Sequence, residues 1–317
     1  MLMKIAVGRA LEDAYGFAFK RFFSVLGTVW FPYLVLLVIF ACVLVPFFAQ
    51  IAPMWLESMK HGSFERHTMD PEMVHDMLRR MSGLLGLAPL LILVVMVVRS
   101  MVLVGLLQLA LGRRKGPVFA YFSLGAPVWR MLGALLLAFI IIWVLAAILA
   151  GACVAIWFAV NTLPQANLIR VAAIVVAACL FIYAMFRLVF FVPAVVVAEE
   201  RIDLGRSWQL GGGNFWRIIL TILATFIPAA IIFTILSGAI RSAMFMPLLP
   251  HFGDHPTPQL VWSIMTHQGA PYIVVSIILQ LVYYVIFSGL GVGMIASAYR
   301  SVVPSSEPAE EPAGMVA

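Results

Sequence analysis

The sequence predicts an all-α polytopic membrane protein: six transmembrane helices in three pairs, each pair preceded by a short cytoplasmic interfacial helix, with both termini in the cytoplasm. Three observations predict it. Of 317 residues, 64% are hydrophobic and 11% charged, and the mean hydropathy is +1.07; soluble domains carry about 25% charged residues. A chain this apolar needs lipid as its solvent. The apolar residues are gathered into runs that exceed the ~20 residues a bilayer requires. Lys and Arg, finally, are shared unequally between alternate connections, which sets the orientation.

The first span is expected within the uncharged stretch between Arg21 and Glu57, at about 24–50. It is longer than the ~7–15-residue apolar core of a cleavable signal, so it is expected to be retained. The second covers about 84–111 and contains Arg99. The third covers about 131–158; Asn161-Thr162-Leu163-Pro164-Gln165 then supplies turn residues that separate it from the fourth, at about 167–198, which contains Arg187 and Pro193. The fifth fills about 218–240 between Arg217 and Arg241, and the sixth covers about 272–298. Residues 1–300 therefore read as a single six-span membrane domain, and 301–317 as a disordered acidic cytoplasmic tail. Two connections lie on the opposite side, at 57–81 and 241–271. In the first, Asp70-Pro71-Glu72 combines a cap, a first-turn Pro and an acid near the positive helix end.

Orientation follows from the cations. Lys4, Arg9, Lys20, Arg21, Arg113, Arg114, Lys115, Arg130, Arg201, Arg206, Arg217 and Arg300 fall on one side of this map. Lys60, Arg66, Arg79, Arg80, Arg170 and Arg241 fall on the other. Twelve against six puts both termini inside.

A repeated lead-in precedes alternate spans. Gly8-Arg9-Ala10-Leu11 leads to Phe19-Lys20-Arg21-Phe22, Phe122-Ser123-Leu124-Gly125 to Trp129-Arg130-Met131-Leu132, and Gly205-Arg206-Ser207-Trp208 to Phe215-Trp216-Arg217-Ile218. Each reads as an interfacial segment followed by an anchor at headgroup level: Lys20 with Arg21, Trp129 with Arg130, Trp216 with Arg217. Ile5, Ala6, Ala10, Ala14, Phe17 and Ala18 give the first segment an apolar stripe at helical spacing. The sixth span has no arginine matching those of the second and fourth; Tyr283, Tyr284 and Phe287 stand there instead.

The stretch from Arg187 through Pro193-Ala194 to Glu199-Glu200, with Arg206-Ser207-Trp208-Gln209-Leu210 and Gly213-Asn214-Phe215-Trp216-Arg217, resembles the membrane domain of glycerophosphoryl diester phosphodiesterases. It is similar also to related uncharacterised bacterial inner-membrane proteins that lack the soluble enzyme domain. Ala296-Ser297-Ala298-Tyr299-Arg300 fits the same pattern. The resemblance implies a membrane domain without its enzyme, located in the bacterial inner membrane.

Arg99 and Arg187 are the candidate site, because a guanidinium at mid-membrane costs ~2.5–3.5 kcal/mol on insertion scales. Two readings are open. Either arginine can snorkel or donate to carbonyls freed by a kink such as that at Pro193. Alternatively, with no Asp or Glu in any span, the two can hold a lipid phosphate or another anion. His61, His67, His75, His251, His255 and His267 all fall on the predicted outer side without a compact metal motif. Met69, Met73, Met77 and Met81 read as the apolar face of a lipid-resting helix. Gly211-Gly212-Gly213 reads as a turn, since a dinucleotide fingerprint needs a preceding strand. Cys42, Cys153 and Cys179 lie in apolar runs and suggest no disulfide framework.

No cofactor fingerprint, catalytic motif or basic–aromatic nucleic-acid stripe is present. The function expected is thus non-enzymatic: binding or organising membrane lipid, a membrane-protein partner or a homo-oligomer through a polar site in the bundle. A transporter or permease for a small anionic solute is the alternative; its usual inverted repeats are not what these same-direction lead-ins show.

Overall fold

The structure is a computed structural model that describes residues 4–60, 71–114, 120–161, 165–245 and 269–303. Side chains of 47–60, 71–81, 83–85, 244–245, 269–270 and 273 stand outside that description. The described helices are α1 (Val7–Lys20), α2 (Phe22–Lys60), α3 (Pro71–Ala110), α4 (Ala126–Ala159), α5 (Ala166–Val189), α6 (Val192–Ala198), α7 (Leu204–Gly211), α8 (Phe215–Phe245) and α9 (Gly269–Val302). No strand occurs among the described residues. Six stretches are long and apolar enough to cross a membrane: Phe22–Pro46, Gly86–Ala110, Ala126–Ala159, Ala166–Ala198, Phe215–Ala243 and Val274–Val302. The protein is therefore an all-helical, multi-pass integral membrane protein. The expected tail falls almost wholly in 304–317, outside the described residues.

Helices consecutive in sequence touch, α2 with α3, α4 with α5 and α8 with α9, but α9 also packs on α1, α2 and α3. Its main partner is α1. Gly289 and Gly293 of α9 meet Ala18 and Ala14 of α1 so closely that a Cβ on Gly293 would stand 3.0 Å from the Ala14 Cα. This is small-residue packing, which brings helix backbones together where lipid supplies no hydrophobic drive. Ser297 Oγ adds a 2.6 Å bond to Asp13 Oδ2. Of the stripe expected on α1, Ile5, Ala10, Ala14, Phe17 and Ala18 are buried and Ala6 is exposed. So α1 is a core element, built into the bundle beside the C-terminal part of α9. That contact puts both ends of the described chain at one end of the bundle, the near end.

A short helix precedes α2 and another precedes α8, but the third expected one is corrected. Residues 120–125 before α4 are not helical. Gly125 is extended at the N-cap, and Tyr121 is wedged beside Gly105, where a Cβ would sit 2.7 Å from its ring. Ser123, Gly125 and the first-turn Pro127 favour a helix start here over a helix before it.

The fourth span is broken at Phe190–Phe191, between α5 and α6. Pro193 in the first turn of α6 lacks an N–H and clashes with the preceding turn, so the ladder cannot continue. The Leu188 carbonyl at the end of α5 accepts a 2.6 Å bond from Ser207 Oγ of α7.

Buried residues gather at the near end: Ile5 to Pro32, Ser100 to Ala110, Val128 to Ala138, Phe190 to Val197, Ser207 to Thr225 and Val285 to Val302. Beyond those limits no described residue of the six spans is buried. The spans share a core at one end; the described residues towards the other, the far end, are half-buried or exposed.

Candidate functional site

Arg187 sits at the last turn of α5, facing α7. Its Nε donates to the Trp208 carbonyl at 3.1 Å and its Nη1 to the Tyr183 hydroxyl at 2.6 Å. The guanidinium lies over the Trp208 ring, 4.2 Å from the centroid. Gly211 allows α7 this approach, because a Cβ there would stand 2.8 Å from the Arg187 carbonyl oxygen. Gly213, at φ +73°, then turns the chain into α8. Asn214 starts α8, and its Oδ1 accepts from the Ile5 N–H at 3.1 Å. Arg217 Nη1 donates to the Ile5 carbonyl at 2.7 Å. The distinctive stretch 187–217 is thus one lock that joins the broken fourth span, α7, the start of α8 and the N-terminal segment.

Arg99 is placed differently. It is exposed, directly before buried Ser100, and makes no hydrogen bond or ion pair among the described residues. It lies near enough to Tyr284 of α9 to act on that hydroxyl electrostatically. Tyr284 in turn packs against Tyr33 of α2, with ring centroids 5.7 Å apart. Arg99 therefore stands where the buried part of α3 ends and its far half begins. The described interaction of Arg99 is with α9 and those of Arg187 are with α5 and α7, so no described interaction is common to the two arginines. The other aromatics of the sixth span, Tyr283 and Phe287, pack on Phe233 and Phe226 of α8.

A third arrangement escaped the sequence reading. Between the end of α3, the start of α4 and the end of α6 lies a cavity of about 250 Å3, lined in part by Gln108, Arg113, Arg114, Pro127, Arg130 and Glu200. Arg113 Nη1 donates to the Val197 carbonyl at 2.9 Å and to Glu200 Oε1 at 3.1 Å, and Nη2 donates to the Ala198 carbonyl. It caps α6, a cation at the negative end of a helix. Arg114 Nη2 donates to Thr28 Oγ1 at 2.8 Å, and the guanidinium lies over Tyr121. Its Nε and Nη1 are sealed from solvent with no partner among the described residues. Burial pushes the Arg114 guanidinium below its ordinary pKa, with Tyr121 acting the other way; it stays cationic at neutral pH. Arg130 is half-buried and makes no hydrogen bond or ion pair among the described residues.

The expected anchors divide in two. Lys20, Trp129 and Trp216 are exposed, as side chains at a headgroup layer would be. Arg130 and Arg217 are turned inward, to the cavity and to Ile5, and the exposed Arg21 reaches the Leu109 carbonyl at 3.5 Å. Neighbouring helical positions point about 100° apart, so a Trp-Arg pair serves lipid and core at once.

Comparison with known proteins found no match among family models, curated proteins or solved structures. The geometry alone carries the functional reading. No group of three His, Cys, Asp or Glu positioned for a metal occurs among the described residues. The six histidines lie outside them, except His75, whose helix is described without its side chain. The sequence signal for the cavity was limited to Arg113-Arg114-Lys115 and Trp129-Arg130, which a count of cytoplasmic charge absorbs completely.

Proposed function

We propose that this protein is a non-enzymatic membrane protein that binds or organises membrane lipid, with its far half as the lipid-accommodating part and Arg99 as the polar contact there. The observation that carries the reading is Arg99: a cation in a membrane-crossing helix, exposed at the edge of the packed core, without a protein counter-charge among the described residues. A phosphate-bearing lipid offsets that cost with a charge-assisted, bidentate contact. Arg187 takes the structural reading instead, since Trp208 and Tyr183 already engage it. The resemblance to membrane domains of glycerophosphoryl diester phosphodiesterases supports the same direction, and with it a bacterial inner-membrane location with both termini cytoplasmic.

Lipid retained by the purified protein, measured by native mass spectrometry, tests this. Arg99→Gln is expected to lose a retained anionic lipid and Arg187→Gln to keep it when the protein stays folded. Equal retention by wild type and Arg99→Gln ends the reading. The alternative, transport of a small anion, draws on the same cation in a membrane-crossing helix; counterflow in proteoliposomes separates the two.

A further inference from the structure

We propose that the cavity between α3, α4 and α6 is a second and separate site that binds a phosphate group, carried on a lipid headgroup or free in solution. Three guanidinium groups border it, from Arg113, Arg114 and Arg130. The carboxylate among the lining residues, that of Glu200, is already engaged by Arg113. The balance facing an incoming ligand is therefore positive. Arg114 is held in place by Thr28 and Tyr121 while two of its donors, shielded from water, have no acceptor among the described residues. Buried donors are normally paired, so such a pair of orphans points to an acceptor supplied by a ligand.

The backbone adds to this. α4 starts at the cavity with Pro127 in its first turn, no acidic residue in that turn and no side-chain cap. Its positive end is uncompensated by the protein, and helix N-termini favour anions. About 250 Å3 is below the ~300–1,000 Å3 of drug-sized pockets. The volume suits a single phosphate with a small substituent. Val196 and Val197 of α6 border the same space, so an apolar wall lies beside the charges. Phosphate is the favoured anion because its oxygens accept from several guanidinium forks at once.

Inorganic phosphate and short-chain phosphatidylglycerol are titrated in parallel against the purified full chain in neutral detergent. Ionic strength is held with chloride, and the thermal midpoint is the readout. A saturable rise is expected with at least one of them. A rise with both makes the phosphate group alone sufficient, and a rise with phosphatidylglycerol alone assigns the headgroup. Arg130→Gln is the decisive variant: without a ligand it should melt as wild type does, because Arg130 has no described partner. Its apparent affinity is expected to fall on the order of ten- to a hundredfold, the loss of one charge-assisted contact. Arg9→Gln removes an equal charge from an exposed position of α1 and should bind as wild type does. Absence of any saturable response, or equal affinity in wild type and Arg130→Gln, overturns the proposal. Arg99→Gln should leave this response intact, so loss of the far-half lipid reading and loss of this site are separate results.

Discussion

At the near end of the bundle, a Cβ added to Gly105, Gly211, Gly289 or Gly293 would come within 2.7–3.2 Å of a neighbour; at the far end, Gly86, Gly151 and Gly238 have nothing within 4 Å. Polar bonds between distant segments gather at the near end, whereas those of Arg170 at the far end join neighbouring parts of one helix pair. Ser207 to Leu188, Asn214 and Arg217 to Ile5, Arg187 to Trp208 and Ser297 to Asp13 all lie at the near end. The helices are just as apolar at the far end, yet no described residue of the spans is buried there. In lipid, apolar surface has no reason to seek other apolar surface, so helices associate where small residues and hydrogen bonds reward it. Burial in this molecule gathers where close glycine contacts and paired polar groups hold distant segments together.

Substitutions can break that comparison. Gly293→Leu is expected to have the largest effect, ~1–3 kcal/mol or more from overpacking against the α1 backbone, whereas Gly151→Leu should change the melting point little, within about 0.5 kcal/mol. Comparable losses in detergent melts of both variants would remove the distinction between the ends.

The two intramembrane arginines sharpen it. Arg187→Gln loses two charged hydrogen bonds and the stack on Trp208, and about 1.5–3 kcal/mol of stability should go with them. Arg99→Gln removes a cation with no described partner, so its melting point should hold or rise. A drop equal to that of Arg187→Gln would mean that the far half is tied together by protein contacts after all.

Asn214→Ala deprives the Ile5 N–H of its acceptor, at ~1–3 kcal/mol. Protease access to the N-terminal segment is the direct measurement and should increase. The smallest effect is expected at the α4–α5 turn, where Arg170 reaches Asn161 and Asn167 and covers the Trp157 ring at 4.1 Å. Arg170→Ala should cost ~0.5–1 kcal/mol, seen as faster hydrogen exchange at that turn with the near-end core unchanged.

The predicted spans and the six helical stretches differ by a few residues at most ends, because a long apolar run carries its own reason to be a membrane helix. The lead-ins were less legible. Residues 8–22 and 205–218 do contain short helices, whereas 120–125 does not, because Ser123, Gly125 and Pro127 favour a helix start there. The stretch 187–217 was visible as a motif, but its meaning was not: the partners of Arg187, Asn214 and Arg217 are Trp208 and Ile5, and only the fold brings the last within reach. The cavity arginines were hidden for a different reason. Positive charge beside a span looks the same whether it faces water, lipid headgroups or a pocket.

What the sequence by itself determined was the solvent of this protein and the number of apolar stretches that enter it, since transfer into lipid sums over a run of neighbouring residues. Which of its many arginines are held by protein, and which still lack an acceptor, was decided only by tertiary structure. A guanidinium is satisfied by carbonyls and rings from other helices, and whether those come within 3 Å depends on how distant segments pack.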